Sequence, residues 1–211
     1  MITRVLLDPV DFRRLYLFRH PELEASYQGR AVGSGAAPLS RRGRAQVLDW
    51  VGWLENVTID AVYSSPQSQC TESALAICKP RELVPIEDAR LRDQEMGEWQ
   101  GRPWEELLQQ DGDAVRSFFT DFGDTKAKGG ENLGESVERV LAWWVEVAPG
   151  AVGKSYAVVM PGSMIAGFVA ALLGLRLSRS LSLNLPHGGL GIVDAYDNGV
   201  RLQSWNPGAV V

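Results

Sequence analysis

Histidine and cysteine are both scarce in this 211-residue chain, which has two of each. Cys70 and Cys78 lie in a stretch that reads as one helix. At 1.5 Å rise per residue they stand roughly 12 Å apart, beyond the ~7 Å Cα limit for a bridge. No disulfide framework is expected, and both thiols read as buried helix residues of a protein kept in a reducing compartment. An excess of positive charge is missing too. A net charge of −5 and a pI near 5.1 argue against a nucleic-acid surface. They leave room for a local basic pocket around a small anion. Long apolar runs are also absent: the most apolar segment, Ile165 to Leu175, has about half the length a membrane span needs. The start, Met1 to Pro9, is too short and too interrupted for a signal peptide. A cytoplasmic protein with neither nucleic acid nor membrane as partner is the expectation.

What is present suits one core. Hydrophobic residues make up 45% of the chain and charged ones 22%, so it reads as one globular domain over residues 1–211, with 1–14 as an N-terminal extension. Strand-like and helix-like stretches alternate. Leu15–Phe18, Ile59–Tyr63 and Tyr156–Met160 read as buried strands, and Val84-Pro85-Ile86 as an edge strand. Gly191–Tyr196 and Val200–Gln203 flank the turn Asp197-Asn198-Gly199 as a hairpin. Ser40 is placed to cap a helix carrying Val47, Trp50, Val51 and Leu54 at helical spacing. Further helices are expected over Gln67–Ile77, over Glu131–Val147 and from Pro161-Gly162 to Gly174, with two short ones between Gly97 and Gly130. The pattern predicts a three-layer α/β/α sandwich around a mostly parallel sheet.

In such sheets ligands bind beyond the carboxyl ends of the strands. Three exits are therefore candidate walls: Phe18-Arg19-His20, Tyr63-Ser64-Ser65-Pro66 and Val159-Met160-Pro161-Gly162. A histidine with an adjacent guanidinium is a good pair for attacking and clamping a phosphoryl group. Taken alone, Arg19-His20 reads rather as the end of a strand in two solvated polar residues, and the context elsewhere in the chain turns the reading toward phosphate binding. Gly33-Ser34-Gly35 lacks the preceding strand and the spacing of a dinucleotide loop. Trp50, Trp53, Trp143 and Trp144 read as core, whereas Trp99 and Trp104 read either as core or as a pocket wall.

Several motifs in register carry a resemblance. Arg19-His20-Pro21-Glu22, Gly29-Arg30, Pro38-Leu39 with Gly43 and Gln46, Ser64-Ser65-Pro66, Leu91 with Gly97, Trp99 and Gly101, and Gly129-Gly130-Glu131 follow one another in a known order. Over about Leu15 to Val200 the chain resembles the histidine phosphatase superfamily, the phosphoglycerate-mutase-like proteins. The resemblance implies that fold and a phosphohistidine mechanism without metal or cofactor. In active members the first His attacks phosphorus, two Arg and a second His hold the phosphoryl oxygens, and a carboxylic acid protonates the leaving oxygen. Carried over by position, His20 is the nucleophile, Asp93 the acid (one methylene shorter than the usual Glu), and Arg19 and Arg30 bind substrate.

Two positions depart from the pattern. The second Arg is Gln69, which can donate amide hydrogen bonds but has no charge. The second His is Pro161, which offers no donor at all. Pro21 also replaces the usual Gly beside the nucleophile. His187, in Leu185-Pro186-His187-Gly188-Gly189, is either a partial replacement for the lost His or a loop residue, and Arg92 beside Asp93 either adds charge or is a solvated loop cation. Each missing transition-state donor costs about 3–4 kcal/mol. The implied protein is therefore a weak or inactive phosphatase that still binds phosphate or a small phosphorylated molecule, with a protein partner if it is a pseudoenzyme. The alternative is an active phosphomonoesterase working through phospho-His20.

Overall fold

The computed structural model describes residues 12–121 and 123–206. Most of the expected N-terminal extension, the Met1–Pro9 start and Phe122 lie outside the described residues. Arg13 and Arg14, placed in that extension by the sequence reading, instead begin the first strand.

Strand β1 (Arg13–Arg19) is followed by α1 (Arg41–Trp53), β2 (Ala61–Ser64), α2 (Ser68–Cys78) and a two-residue edge strand β3 (Ile86–Glu87). Then come α3 (Trp104–Thr120), α4 (Leu133–Val147), β4 (Ser155–Met160), α5 (Gly162–Leu172), β5 (Leu190–Tyr196) and β6 (Gly199–Trp205). The sheet order is β3-β2-β4-β1-β5-β6. The first four of these run parallel, whereas β5 and β6 pair antiparallel, β5 against β1 and β6 against β5. The expected hairpin is this antiparallel end.

The apolar run of β1 is buried on both faces, which is why it does not alternate with polar residues. Leu15 and Leu17 face a cluster built from α3, α4 and α5, including Val115, Val137, Val140, Trp143, Ile165 and Phe168. Tyr16 and Phe18 face Trp50 of α1, Leu54 just past its end, and Cys70, Ala74 and Ile77 of α2. The sheet thus lies between two helical layers. Leu15, Leu17 and Phe18 are fully buried, each contributing about 1.5–3 kcal/mol of transfer free energy. Cys70 and Cys78 are free and buried, as expected. Trp53 is not core: it is 42% exposed, with one edge on Tyr16.

Caps fix the helix starts. The Ser40 side chain accepts from the Gly43 amide at 2.9 Å, opening α1 as predicted. Helix α4 begins two residues later than its apolar spacing suggests. Asn132 and Glu135 form a reciprocal capping box there. Between Gly97 and Gly130, α3 is broken at Asp111 (φ −146°, ψ 56°), so its two halves are the two short helices expected. No single helix among the described residues is long and apolar enough to cross a membrane.

Candidate active site

The parallel strands deliver their carboxyl ends to one edge of the sheet. Arg19 pairs with Met160 in register, the His20 amide donates to the Met160 carbonyl at 3.3 Å, and the Ser65 amide donates to Val159 at 2.9 Å. Beyond these tips lies a cavity of about 590 Å³. Arg19, His20, Arg30, Gln69, Asp93 and His187 all line it. These are the residues singled out from the sequence, and the fold brings every one of them to the same hollow.

His20 is 6% exposed. Its Nδ1 lies 3.0 Å from the Pro21 carbonyl. A carbonyl only accepts, so Nδ1 carries the proton and Nε2 keeps its lone pair. Burial, then His187 and Arg19, push the ring from 6.5 down to about 3, against the pull of the Pro21 carbonyl. The imidazole is therefore neutral near pH 7, the state in which a histidine can act as a nucleophile.

That shift has a consequence for stability. The native ring resists a proton that the unfolded ring takes up near pH 6.5, so between pH 6.5 and 3 the unfolded state binds more protons. The stability of the fold is then complete above pH 6.5 and falls as the pH drops toward 3. The loss attributable to His20 between pH 7 and pH 5 is about 2 kcal/mol. Urea unfolding of wild type and His20→Gln at the two pH values checks this: the substitution should flatten the pH dependence by about that amount. Equal slopes for the two proteins contradict the assignment of a buried neutral ring.

His187 lies in the lead-in to β5, its ring centroid 5.0 Å from that of His20. Its Nε2 faces Arg19 Nη2 at 3.2 Å and its Nδ1 faces the His20 carbonyl at 3.4 Å. Arginine only donates, so Nε2 accepts and Nδ1 donates, one consistent tautomer. Loss of water around its inner face, then the Arg19 charge, lower its pKa. Like His20, it is neutral near pH 7. The lead-in itself is pinned: Gln46 donates to the His187 carbonyl and Trp50 Nε1 to the Gly188 carbonyl.

Arg19 donates to Asn184 Oδ1 at 3.1 Å and to the Leu185 carbonyl, and its buried Nε has no hydrogen-bond partner among the described residues. Gly162, the first residue of α5, makes room for it: a Cβ there would stand 2.7 Å from Arg19 Cδ and Nε.

Asp93 Oδ1 accepts from Ser163 Oγ at 2.6 Å and from the Gln94 amide at 2.9 Å. Burial raises its pKa, while those two bonds and the charges of Arg19 and Arg139 oppose the rise. A carboxyl group held toward its protonated form suits a proton donor. Its backbone is fixed as well. The Asp93 amide donates to Gln67 Oε1 at 2.9 Å, and Gln67 Nε2 donates to the Gly33 and Gly35 carbonyls.

Gln69 is 1% exposed, and its amide is committed to a loop. Oε1 accepts from the Ala37 amide at 3.0 Å and Nε2 donates to the Gly35 carbonyl at 3.4 Å. Arg30 is exposed and donates to the Ser26 and Gly101 carbonyls. Arg92 adds no charge to the cavity: it is paired with Glu95 and Glu131 in a network that Arg139 completes. Trp104 lines the cavity, whereas Trp99 is buried behind it.

Sequence reasoning missed Ser163, Asn184 and the aromatic wall of Tyr27, Phe118 and Phe119, all of which line the cavity. The place of Ser163, just past the Pro161-Gly162 strand exit, is the one signal that pointed to it. Asn184 and the aromatic residues stand in segments with no motif of their own. Among the described residues, no group of three or more His, Cys, Asp or Glu side chains is placed to hold a metal ion.

A sequence model of the histidine phosphatase superfamily (branch 1) matches residues 15–207. The chain is 27% identical over 180 residues to phosphoserine phosphatase 1 of Hydrogenobacter thermophilus, covering 85% of each chain. It is 22% identical to the adenosylcobalamin/alpha-ribazole phosphatase of Escherichia coli, covering 93% of this chain and 97% of that one. Among solved structures, the alpha-ribazole phosphatase of Shigella flexneri superposes with a TM-score of 0.84 at 22% identity, over 92% of this chain and 96% of that one. A mycobacterial glucosyl-3-phosphoglycerate phosphatase in complex with inorganic phosphate superposes at 0.81 and 24% identity, over 94% and 99%. The structural likenesses concern the fold, and the sequence match runs from β1 to beyond β6. This chain belongs to the histidine phosphatase superfamily.

Proposed function

We propose that the cavity binds the phosphoryl group of a small phosphomonoester and that hydrolysis through His20 is weak. One observation carries the reading. A neutral, buried His20, whose Nε2 makes no hydrogen bond among the described residues, shares the cavity with Arg19, Asp93 and an uncharged Gln69, and the neighbouring strand exit carries Pro161, which has no donor. In the proposed reaction His20 Nε2 attacks phosphorus, Arg19 holds the phosphoryl oxygens and Asp93 gives its proton to the leaving oxygen. Water then takes the phosphoryl group from the ring. The chemistry needs positive charge where charge develops, and here it has little. Loss of two donors would slow it by approximately 10⁴–10⁶ if they were independent. The named relatives act on phosphorylated compounds, which supports the class of ligand and no particular member of it.

An efficient phosphomonoesterase is the second reading, and the position of His187 beside His20 and Arg19 favours it. A neutral ring that already accepts from Arg19 is a poor substitute for a cation, so the first reading stands. Hydrolysis of 4-nitrophenyl phosphate by wild type and His20→Ala separates the outcomes. The weak-phosphatase reading expects a slow rate that the substitution removes, with inorganic phosphate still raising the melting temperature of the wild type. A kcat/KM of roughly 10⁴ M⁻¹s⁻¹ or more would make the second reading correct. Equal rates for the two proteins, with no thermal shift from phosphate, would overturn both.

A further inference from the structure

The cavity is far larger than a phosphoryl group. Its volume of about 590 Å³ falls among sites for whole small molecules, roughly 300–1,000 Å³. Away from Arg19 and His20, its lining includes Tyr27, Trp104, Phe118, Phe119, Ala166 and Leu181. Two of these large apolar side chains, Phe119 at 44% and Leu181 at 49%, are left open to water. Exposed apolar residues gathered around one hollow mark a binding surface.

The aromatic wall is built by the break in α3. Trp104 and Phe118 are 14 positions apart, so a straight helix would separate them by roughly 21 Å. Their ring centroids are 6.2 Å apart instead, because the chain turns back at Asp111. Phe119 packs edge-on against Trp104 at 5.1 Å and against Phe118 at 5.2 Å. Trp99 backs the cluster from inside, 6.1 Å from Trp104. The Trp104 amide donates to the Gly29 carbonyl at 2.9 Å, and Arg30 bridges to Pro103, which fixes the wall beside the loop carrying Tyr27. The Trp104, Phe118 and Phe119 side of the cavity is thus a supported surface of ring edges and faces, with the Tyr27 hydroxyl and the Gln28 amide on the loop beside it.

We propose that the non-phosphate part of the ligand is a planar aryl or heteroaromatic group seated on Trp104 and Phe119, so that the chain takes aryl-bearing phosphomonoesters in preference to small polar ones. The assignment rests on the phosphate-binding reading above. Its driving force is burial of the rings still open to water together with ring–ring contact, which is sensitive to planarity as well as to apolar area.

Isothermal titration of the purified chain with inorganic phosphate, glycerol 3-phosphate, hexyl phosphate, 1-naphthyl phosphate and 1-naphthol tests it. Naphthyl phosphate should bind about tenfold tighter than glycerol 3-phosphate and also tighter than hexyl phosphate. Phe119→Ala, at an exposed position, should bring the first gap to within about threefold while leaving the affinity for inorganic phosphate unchanged. Trp104→Ala should do the same if its melt shows it folded. Equal affinity for the naphthyl and glycerol esters, hexyl equal to naphthyl, or a gap that survives Phe119→Ala would each overturn the proposal. Binding of 1-naphthol without any binding of inorganic phosphate would uphold the aryl seat and overturn the phosphate reading. Binding of none of the probes would overturn both.

Discussion

Gln69→Arg should raise kcat/KM for an aryl phosphate by about 100-fold, the yield of one added transition-state donor. Gln69 lines the cavity and is buried, so a guanidinium there meets the phosphoryl oxygens with little water to weaken it. It would also stand near Arg19. Repulsion between the two cations is felt in the empty site and relieved when a dianion binds, which directs the gain to the bound and reacting states. There is a cost. Gln69 Oε1 accepts from the Ala37 amide, and arginine accepts nothing, so that buried N–H loses its partner at about 1–3 kcal/mol of stability. Two measurements therefore belong together: steady-state hydrolysis, with His20→Ala in the same background as control, and urea unfolding. A folded variant with no rise in His20-dependent rate would show that the missing charge is not what limits the site.

Gly162→Ala should weaken phosphate binding roughly 10- to 150-fold, the equivalent of about 1.5–3 kcal/mol for one charge-assisted hydrogen bond. The new methyl would lie 2.7 Å from Arg19 Cδ and Nε and 3.0 Å from Cζ. Those atoms are the middle of the side chain, held at its far end by Asn184, Leu185 and His187. Arg19 must let go of at least one of these partners and turn. The backbone has no such objection, because alanine favours a helix by up to about 1 kcal/mol over glycine. The expected signature is a melting temperature held or raised with a weakened affinity for inorganic phosphate in titration. Unchanged affinity would mean that Arg19 does not hold the anion.

Much of this could be read from local pattern. The strand exits at Arg19-His20 and Pro161-Gly162 follow apolar runs whose burial on both faces leaves no other reading. The hairpin announces itself through Asp197-Asn198-Gly199. Helix starts were legible where a single residue caps, as at Ser40, and were misplaced by two residues where the Asn132–Glu135 box was overlooked. What local pattern does not encode is convergence. His187 meets Arg19 across 168 positions, and no spacing in the sequence makes one tautomer of His187 answer both Arg19 and the His20 carbonyl. Trp104 and Trp99 looked alike in sequence. The turn at Asp111 brings Phe118 back against both rings, 5.6 Å from Trp99 and 6.2 Å from Trp104, and in the fold Trp104 lines the cavity while Trp99 is buried. Arg92 looked like spare charge because its partners, Glu95 and Glu131, meet it only in the fold.

His20 owes its alignment to its immediate surroundings. The ring is oriented by the carbonyl of the next residue, and its backbone is gripped by Met160 and Gly188. All three anchors are main-chain groups, and the His187 side chain adds a contact from Nδ1 to the His20 carbonyl at 3.4 Å. On the proposed reading, positive charge can be absent at Gln69 and Pro161 without turning the His20 ring, because its anchors carry none of that charge. On that same reading speed is lost before posture, and a brisk catalyst would be recovered by re-equipping a few side chains around His20.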